Sequence, residues 1–461
     1  MIKFYTTSFL ALVGLKLCAT YFTEFSLYGD EAQYWLWSQS LDLGYFSKPP
    51  LLAWFLSAHV KLFGDSFFSL KTFPLMVYFL ICFSLFRMCL RLGLSKNNAI
   101  VCSLSFLIVP AASISSFLVS TDLLLIFFWI MGMTQLLDLR KFPSIKNFVL
   151  LAVYLGLSFL AKYAAIYFLL SFLILIIFDN KILKTLKNNL VGCLLFVLVL
   201  IIILLPNIYW NVKNEWLTFS HTADNANLQN LSLGFYEPLK FLITQIFMLG
   251  PVFFISFFYI FRSFNFDFEN KFLLIYSLPI FFIVMTESFL VRANANWAAP
   301  ALISLFVLFF RLMSEKKQSL IVVNFVANYL IAVFLFVSIL VSSDIKIFDR
   351  IRGVDSFVRE VIETVGSKDI VVADRIIFSS MSYEMRNAPN SIFMPYKKDG
   401  TITNHFQTTS PLSHKRHDDF YLIGSKDDVS YLLKENEIEQ LKEFDVPFSS
   451  SKLKLYEVIF K

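Results

Sequence analysis

Residues 29–54 read GDEAQYWLWSQSLDLGYFSKPPLLAW. Asp30, Glu31, Asp42 and Lys48 make this stretch too charged to cross hydrocarbon, whereas Tyr34, Trp35, Leu36, Trp37, Leu51, Leu52 and Trp54 make it too apolar for a solvated loop. Aromatic residues concentrate where a bilayer meets water, and helices with one apolar face lie flat at that boundary. Residues 24–67 therefore read as a segment with two interfacial helices, flanked by apolar runs that start near Tyr5 and Phe68.

The runs continue along most of the chain. A bilayer core about 30 Å thick needs roughly 20 apolar residues per helix, and runs of that size fall near 5–26, 68–90, 98–117, 121–139, 147–161, 163–179, 189–209, 238–261, 272–290, 297–313 and 320–342. That is about eleven spans. The split near Ala161 and Lys162 divides one long apolar stretch in two. The first run has no small-residue cleavage site behind it, so it reads as a retained helix and not a removed signal.

Composition agrees. The 461 residues are 57% hydrophobic and 16% charged, with mean hydropathy +0.66 and net charge +6, against about 25% charged in an ordinary soluble domain. Residues 1–342 hold 23 basic and 15 acidic side chains, and residues 343–461 hold 17 and 19. The first part is a membrane domain. The tail, 343–461, reads as a small soluble α/β unit, with strands at Asp369–Ala373, Phe420–Ile423 and Lys454–Phe460 and a helix at Asp427–Glu443. His405, His414 and His417 read as surface residues of it. The five cysteines lie in the apolar part with no CxxC pair, which argues against a disulfide framework or a zinc site.

Lys and Arg collect in cytoplasmic loops. With the N-terminus inside, fifteen fall on the inner side and six, Lys48, Lys61, Lys71, Lys213, Lys240 and Arg292, on the outer. This places residues 27–67, the polar loop from Trp210 to Glu237 and the tail outside the cytoplasm. Ionisable groups at membrane depth are costly and mark function. Asp30, Glu31, Lys48, Asp122, Lys162 and Arg292 all converge on that outer face, whereas Lys16 reads as paired or snorkelling and His59 as structural. Carboxylates and cations gathered there suit an anionic substrate presented by the bilayer. The 55 Phe residues are lipid-facing or core filler, so no nucleic-acid partner is expected.

The Asp-Glu pair, the aromatic residues after it and KPP about seventeen residues later resemble the first external loop of bacterial GT-C glycosyltransferases of the protein mannosyltransferase-like superfamily, which includes the aminoarabinose transferases of lipid A. STDLLLIFFW (Ser120–Trp129), LAKYAA (Leu160–Ala165) and NWAAPAL (Asn296–Leu302) follow in that family's order. The resemblance implies an all-α polytopic GT-C domain over 1–342 with a periplasmic tail, in a bacterial inner membrane. It implies inverting transfer of a sugar from a polyprenyl-phosphate donor to an envelope glycolipid, lipid A or its core.

The same resemblance assigns roles. Asp30 is the catalytic carboxylate, with Glu31 and Asp122 beside it, and Lys48, Lys162 and Tyr45 face the donor phosphate; Arg292 suits the same phosphate by its planar donor fork, and Tyr34 and Trp297 contact the acceptor or the interfacial shelf. It leaves open a divalent cation at the carboxylates. Two departures are visible: Ser47 stands where those transferases commonly have Glu, and Gln33 where they have Arg. Two other readings share these residues, a protein O-glycosyltransferase with the same donor and a lipid-linked sugar transporter, which would place its charges nearer the bilayer midplane.

Overall fold

The computed structural model describes residues 2–226, 234–253, 255, 264–397, 401–413, 418–432 and 437–460. Among them seven helices are long and apolar enough to cross a bilayer: Ile2–Phe22, Phe67–Arg91, Thr121–Lys141, Leu190–Lys213, Phe268–Leu290, Ala295–Glu315 and Gln318–Leu340. Tyr163–Phe178 and Asn180–Lys187, bent by 100°, make an eighth if counted as one span, while Ile145–Ala161 is apolar but shorter. Each apolar run of the sequence has helical residues under it. The end of the 238–261 run lies partly outside the described residues, as do 227–233 of the polar loop.

Two breaks between helices bear on the site. The 98–117 run divides into Lys96–Leu107 and Pro110–Ser115. Pro110 lacks an N–H and its ring would clash with the carbonyl four residues back, so Val109 turns extended at φ −61° and ψ 148°. The second break falls at Lys162, extended at φ −161° and ψ 134° between Ile145–Ala161 and the 3-10 turn Tyr163–Ala165. The 272–290 run also has a break, between Phe268–Ile275 and Leu278–Leu290.

Residues 24–67 fold into the two expected helices, Gly29–Gln39 and Leu51–Phe63. After the last long helix the chain returns to the first: Ser342 Oγ accepts from the Glu24 N–H at 2.8 Å, and Ser26 donates its N–H to the Ile351 carbonyl at 2.8 Å.

The tail holds a five-stranded sheet in the order β2-β1-β3-β5-β4, from β1 (Ile370–Val372), β2 (Ile392–Phe393), β3 (Phe420–Ile423), β4 (Ile438–Phe444) and β5 (Leu453–Val458). β1 is parallel to β2 and β3, and β5 is antiparallel to β3 and β4. Every residue of β1 and β3 is buried, as expected of central strands with both faces covered. The described residues of the helix expected over Asp427–Glu443, which leave out 433–436, form no α-helix. Lys426–Val429 is a single 3-10 turn, and Ile438–Phe444 pairs with β5 instead. Its Glu, Gln, Leu and Lys residues favour helices in isolation, but pairing along β5 overrides local preference. Its exposed charges then suit a sheet edge.

Candidate active site

Asp30 and Glu31 occupy the first turn of Gly29–Gln39, where a helix N-terminus favours negative charge. They point to different tasks. Glu31 is 2% exposed and fully engaged: Oε1 accepts the Val119 N–H at 2.8 Å, and Oε2 accepts the Tyr28 N–H at 3.0 Å and the Lys71 ammonium at 2.5 Å. Lys71, which reads in the sequence as a topology charge, is buried on its own helix and also lies 4.3 Å above the Phe117 ring. Glu31 thus clamps three segments together. The membrane-depth Lys16 is likewise buried and donates to the Ser116 carbonyl, pinning the same 116–120 loop.

That loop delivers Asp122, in the first turn of Thr121–Lys141. Its Oδ1 accepts from Lys162 Nζ at 2.7 Å and its Oδ2 from Asn296 Nδ2 at 2.9 Å. The helix cap falls at Ser120, so Asp122 is no cap; it ties the break at Lys162 to the 3-10 turn Ala295–Ala298.

Lys48 is held by a separate scaffold. Asn207 Nδ2 donates to the Leu43 carbonyl at 2.8 Å while its Oδ1 accepts from Tyr163 Oη at 2.7 Å. One buried amide therefore fixes the Lys48 loop against the residue next to Lys162. Trp210 Nε1 donates to Asp42 Oδ2 at 2.7 Å, and Thr218 Oγ1 donates to the Tyr45 carbonyl at 2.8 Å. At Gly44 a Cβ would lie 2.6 Å from the Trp210 ring, so only glycine permits this approach. Burial, with the Lys162 charge adding to it, pulls the Lys48 ammonium down to about 8.

These groups surround two adjoining cavities. The larger, about 620 Å³, is lined by Asp30, Glu31, Tyr34, Lys48, Asp122, Lys162 and Trp297. The smaller, about 390 Å³, is lined by Lys48, Lys162, Arg292, Trp297 and also Glu287. Lys48, Lys162, Trp297, Ser47 and Asn294 border both. Arg292 reaches only the smaller one. Tyr45 lines neither: it is 1% exposed, stacked on Trp37 at 4.6 Å, and donates its hydroxyl to the Trp37 carbonyl at 2.9 Å.

The tail roofs the larger cavity, which residue patterns did not reveal. A Cβ on Gly29 would sit 2.3 Å from Ile376 Cγ2, so the Arg375–Glu384 helix approaches Gly29–Gln39 as closely as glycine allows. Trp35 meets Tyr383 edge-on at 5.1 Å, and Tyr383 Oη donates to the Asp65 carbonyl at 3.0 Å. Arg375 Nη1 then stands 3.3 Å from Asp30 Oδ1 and also donates to Gln33 Oε1. Arg350, Thr403 and His405 line the same cavity. His405 is not the surface residue expected: its ring packs 5.6 Å from Trp37 and 5.5 Å from Tyr45, and burial lowers its pKa to about 4, so it is neutral near pH 7. His414 and His417 lie outside the described residues. His59 is buried and its Nε2 bonds the Ser69 carbonyl at 2.9 Å, a packing role.

Among the described residues no group of three or more His, Cys, Asp or Glu is arranged to hold a metal. Asp30, Glu31 and Asp122 are each matched to an Arg or Lys instead. This donor set does not fit a divalent cation.

The family model of dolichyl-phosphate-mannose-protein mannosyltransferases matches residues 47–210, a span that includes Lys48, Asp122 and Lys162. The chain is 26% identical over 378 residues to the lipid A galacturonosyltransferase RgtD of Rhizobium johnstonii, covering 79% of each protein. The crystal structure of ArnT from Cupriavidus metallidurans in the apo state superposes with a TM-score of 0.68 at 14% identity, covering 99% of this chain and 98% of that one. The chain is a membrane glycosyltransferase of GT-C fold. The same ArnT bound to undecaprenyl phosphate matches with a TM-score of 0.69 at 13% identity over 98% of both chains. The likeness therefore includes the tail as well as the membrane helices of this GT-C enzyme.

Proposed function

We propose that the enzyme transfers a sugar, with inversion, from a polyprenyl-phosphate donor to an envelope glycolipid of the lipid A type on the outer face of a bacterial inner membrane. The observation that carries this reading is the wall shared by the two cavities. Lys48 and Lys162 border both, with Arg292 on the smaller side and the carboxylates on the larger. A donor whose phosphate lies against that wall would present its anomeric carbon to Asp30.

The chemistry then follows from the charges. The anomeric C–O bond breaks and the departing phosphate becomes a monoester, so negative charge builds on oxygens that Lys48, Lys162 and Arg292 are suited to stabilise. Where the acceptor is a hydroxyl, its oxygen attacks from the opposite face and Asp30 takes its proton. Where the acceptor is itself a phosphate, no base is needed and Asp30 positions it. Asp122 holds Lys162 in place. Tyr34 and Trp297 offer aromatic surface to the acceptor, and Tyr45 supports the wall from behind. Orientation with the N-terminus in the cytoplasm and residues 343–461 in the periplasm, the positive-inside assignment, puts the site where lipid-linked sugars are consumed.

RgtD and ArnT, a lipid A transferase by name and a protein seen with undecaprenyl phosphate, support this choice over a protein acceptor. The test is mass spectrometry of envelope lipids from cells lacking the gene, complemented with wild type or Asp30→Asn. A sugar mass on lipid A or core that returns only with wild type supports the reading. A sugar lost instead from glycoproteins would replace the acceptor proposed here.

A further inference from the structure

The larger cavity carries more positive charge than the donor needs. Glu31 is neutralised by Lys71 and Asp122 by Lys162. The charged groups that remain around the chamber are Asp30 against Lys48, Arg350 and Arg375; His221 and a neutral His405 line it too. A phosphodiester donor brings one negative charge, which leaves one cation unanswered.

Both arginines come from the tail and line the larger cavity. Arg350 is exposed and its Nη1 donates to Tyr28 Oη at 2.5 Å. Arg375 contacts Asp30 at 3.3 Å, a long pairing between side chains 38% and 41% exposed. Such a contact is weak and readily exchanged. Gln33, on the same face of the Gly29–Gln39 helix, is the other partner of Arg375.

We propose that Arg375, assisted by Arg350, binds an anionic group on the acceptor, a phosphate or a carboxylate, so that the tail reads the acceptor. The inference rests on the transferase reading above. A guanidinium offers paired N–H donors to such a group. Arg375 can turn to such a group because its contact with Asp30 is long and solvent-exposed.

The test uses the full-length protein in nanodiscs with a polyprenyl-phosphate sugar donor and three acceptors. These are lipid A with its phosphates, phosphatase-treated lipid A, and phosphatase-treated lipid A that retains acidic core sugars. Expected for Arg375→Gln is a rise of about tenfold or more in acceptor KM on a charged acceptor, the loss of one charge-assisted pair, with donor KM unchanged. On uncharged lipid A, wild type and variant should agree. Arg375→Lys should recover part of the affinity, and Arg350→Gln should give a smaller rise in the same parameter. Whether the phosphorylated or the acid-sugar form responds identifies the anion, and either response supports the proposal. An equal loss on all three acceptors, a change confined to donor KM, or a wild type that prefers uncharged lipid A overturns it. Failure of wild type to transfer to any of them while it glycosylates a protein or moves the donor across vesicles would overturn the transferase reading on which it stands.

Discussion

The Lys48 ammonium supplies a test of the donor wall that needs no catalysis. Burial and the neighbouring Lys162 hold it near 8 instead of the usual 10.5, so it is charged below that pH and neutral above. At pH 7 about nine-tenths of the protein carries the charge, and at pH 9 about one-tenth does. If the donor phosphate is bound by that charge, affinity should be level up to about pH 7.5 and fall about tenfold by pH 9, about 1.4 kcal/mol. The ligand should be an unreactive polyprenyl phosphodiester, whose single charge does not titrate in this range. Binding measured by calorimetry in nanodiscs across that range gives the curve. Lys48→Arg should bind with no such fall, because a guanidinium stays charged throughout. Proton uptake on binding at pH 9 should accompany the wild-type curve, since the phosphate restores the charge. A wild-type curve flat through pH 9.5, or the same fall in Lys48→Arg, would refute the assignment of Lys48 to the phosphate.

Two structural predictions stand apart from the reaction. Glu31→Gln strands the Lys71 ammonium in a buried site, where removal of one partner costs about 3–5 kcal/mol; thermal unfolding in detergent should show a large drop that Glu31→Gln with Lys71→Met largely restores, and a single variant as stable as wild type would dismiss the clamp. Gly29→Ala places a methyl 2.3 Å from Ile376 Cγ2, overpacking worth about 1–3 kcal/mol; hydrogen exchange along Arg375–Glu384 should rise and Ile376→Ala should reverse it, whereas unchanged exchange would mean that the tail does not depend on this contact.

Much of this was legible because its signals are local. Apolar length located the long helices, and the Asp-Glu pair with the downstream KPP located Asp30 and Lys48. Asp122 and Lys162 stood out because charge at membrane depth demands a purpose, and they turned out to be partners. The break at Pro110 was missed, since apolar length alone makes the run around it read as one span. Lys71 could not be read: its partner Glu31 is forty positions away, and one lysine near a helix end looks like a topology signal. Arg375 opens an ordinary amphipathic helix capped by Asp374, 345 positions from Asp30, and His405 sits in a polar stretch. Nothing local distinguishes either from a surface residue. Tyr45 shows the reverse difficulty, since a motif position does not reveal which way a side chain faces; its hydroxyl is spent on the Trp37 carbonyl. β4 was hidden by helix-favouring composition that only its neighbour β5 overrides.

The proposed reaction turns on Asp30, which acts on the acceptor during sugar transfer. The direct measurement is the single-turnover rate of sugar transfer to an acceptor hydroxyl by purified Asp30→Asn, with donor binding measured on the same preparation. The expected result is a rate lower by about 10²–10⁴, the usual contribution of a positioned base, with donor affinity unchanged. Transfer at the wild-type rate by a folded, donor-binding Asp30→Asn would contradict the account.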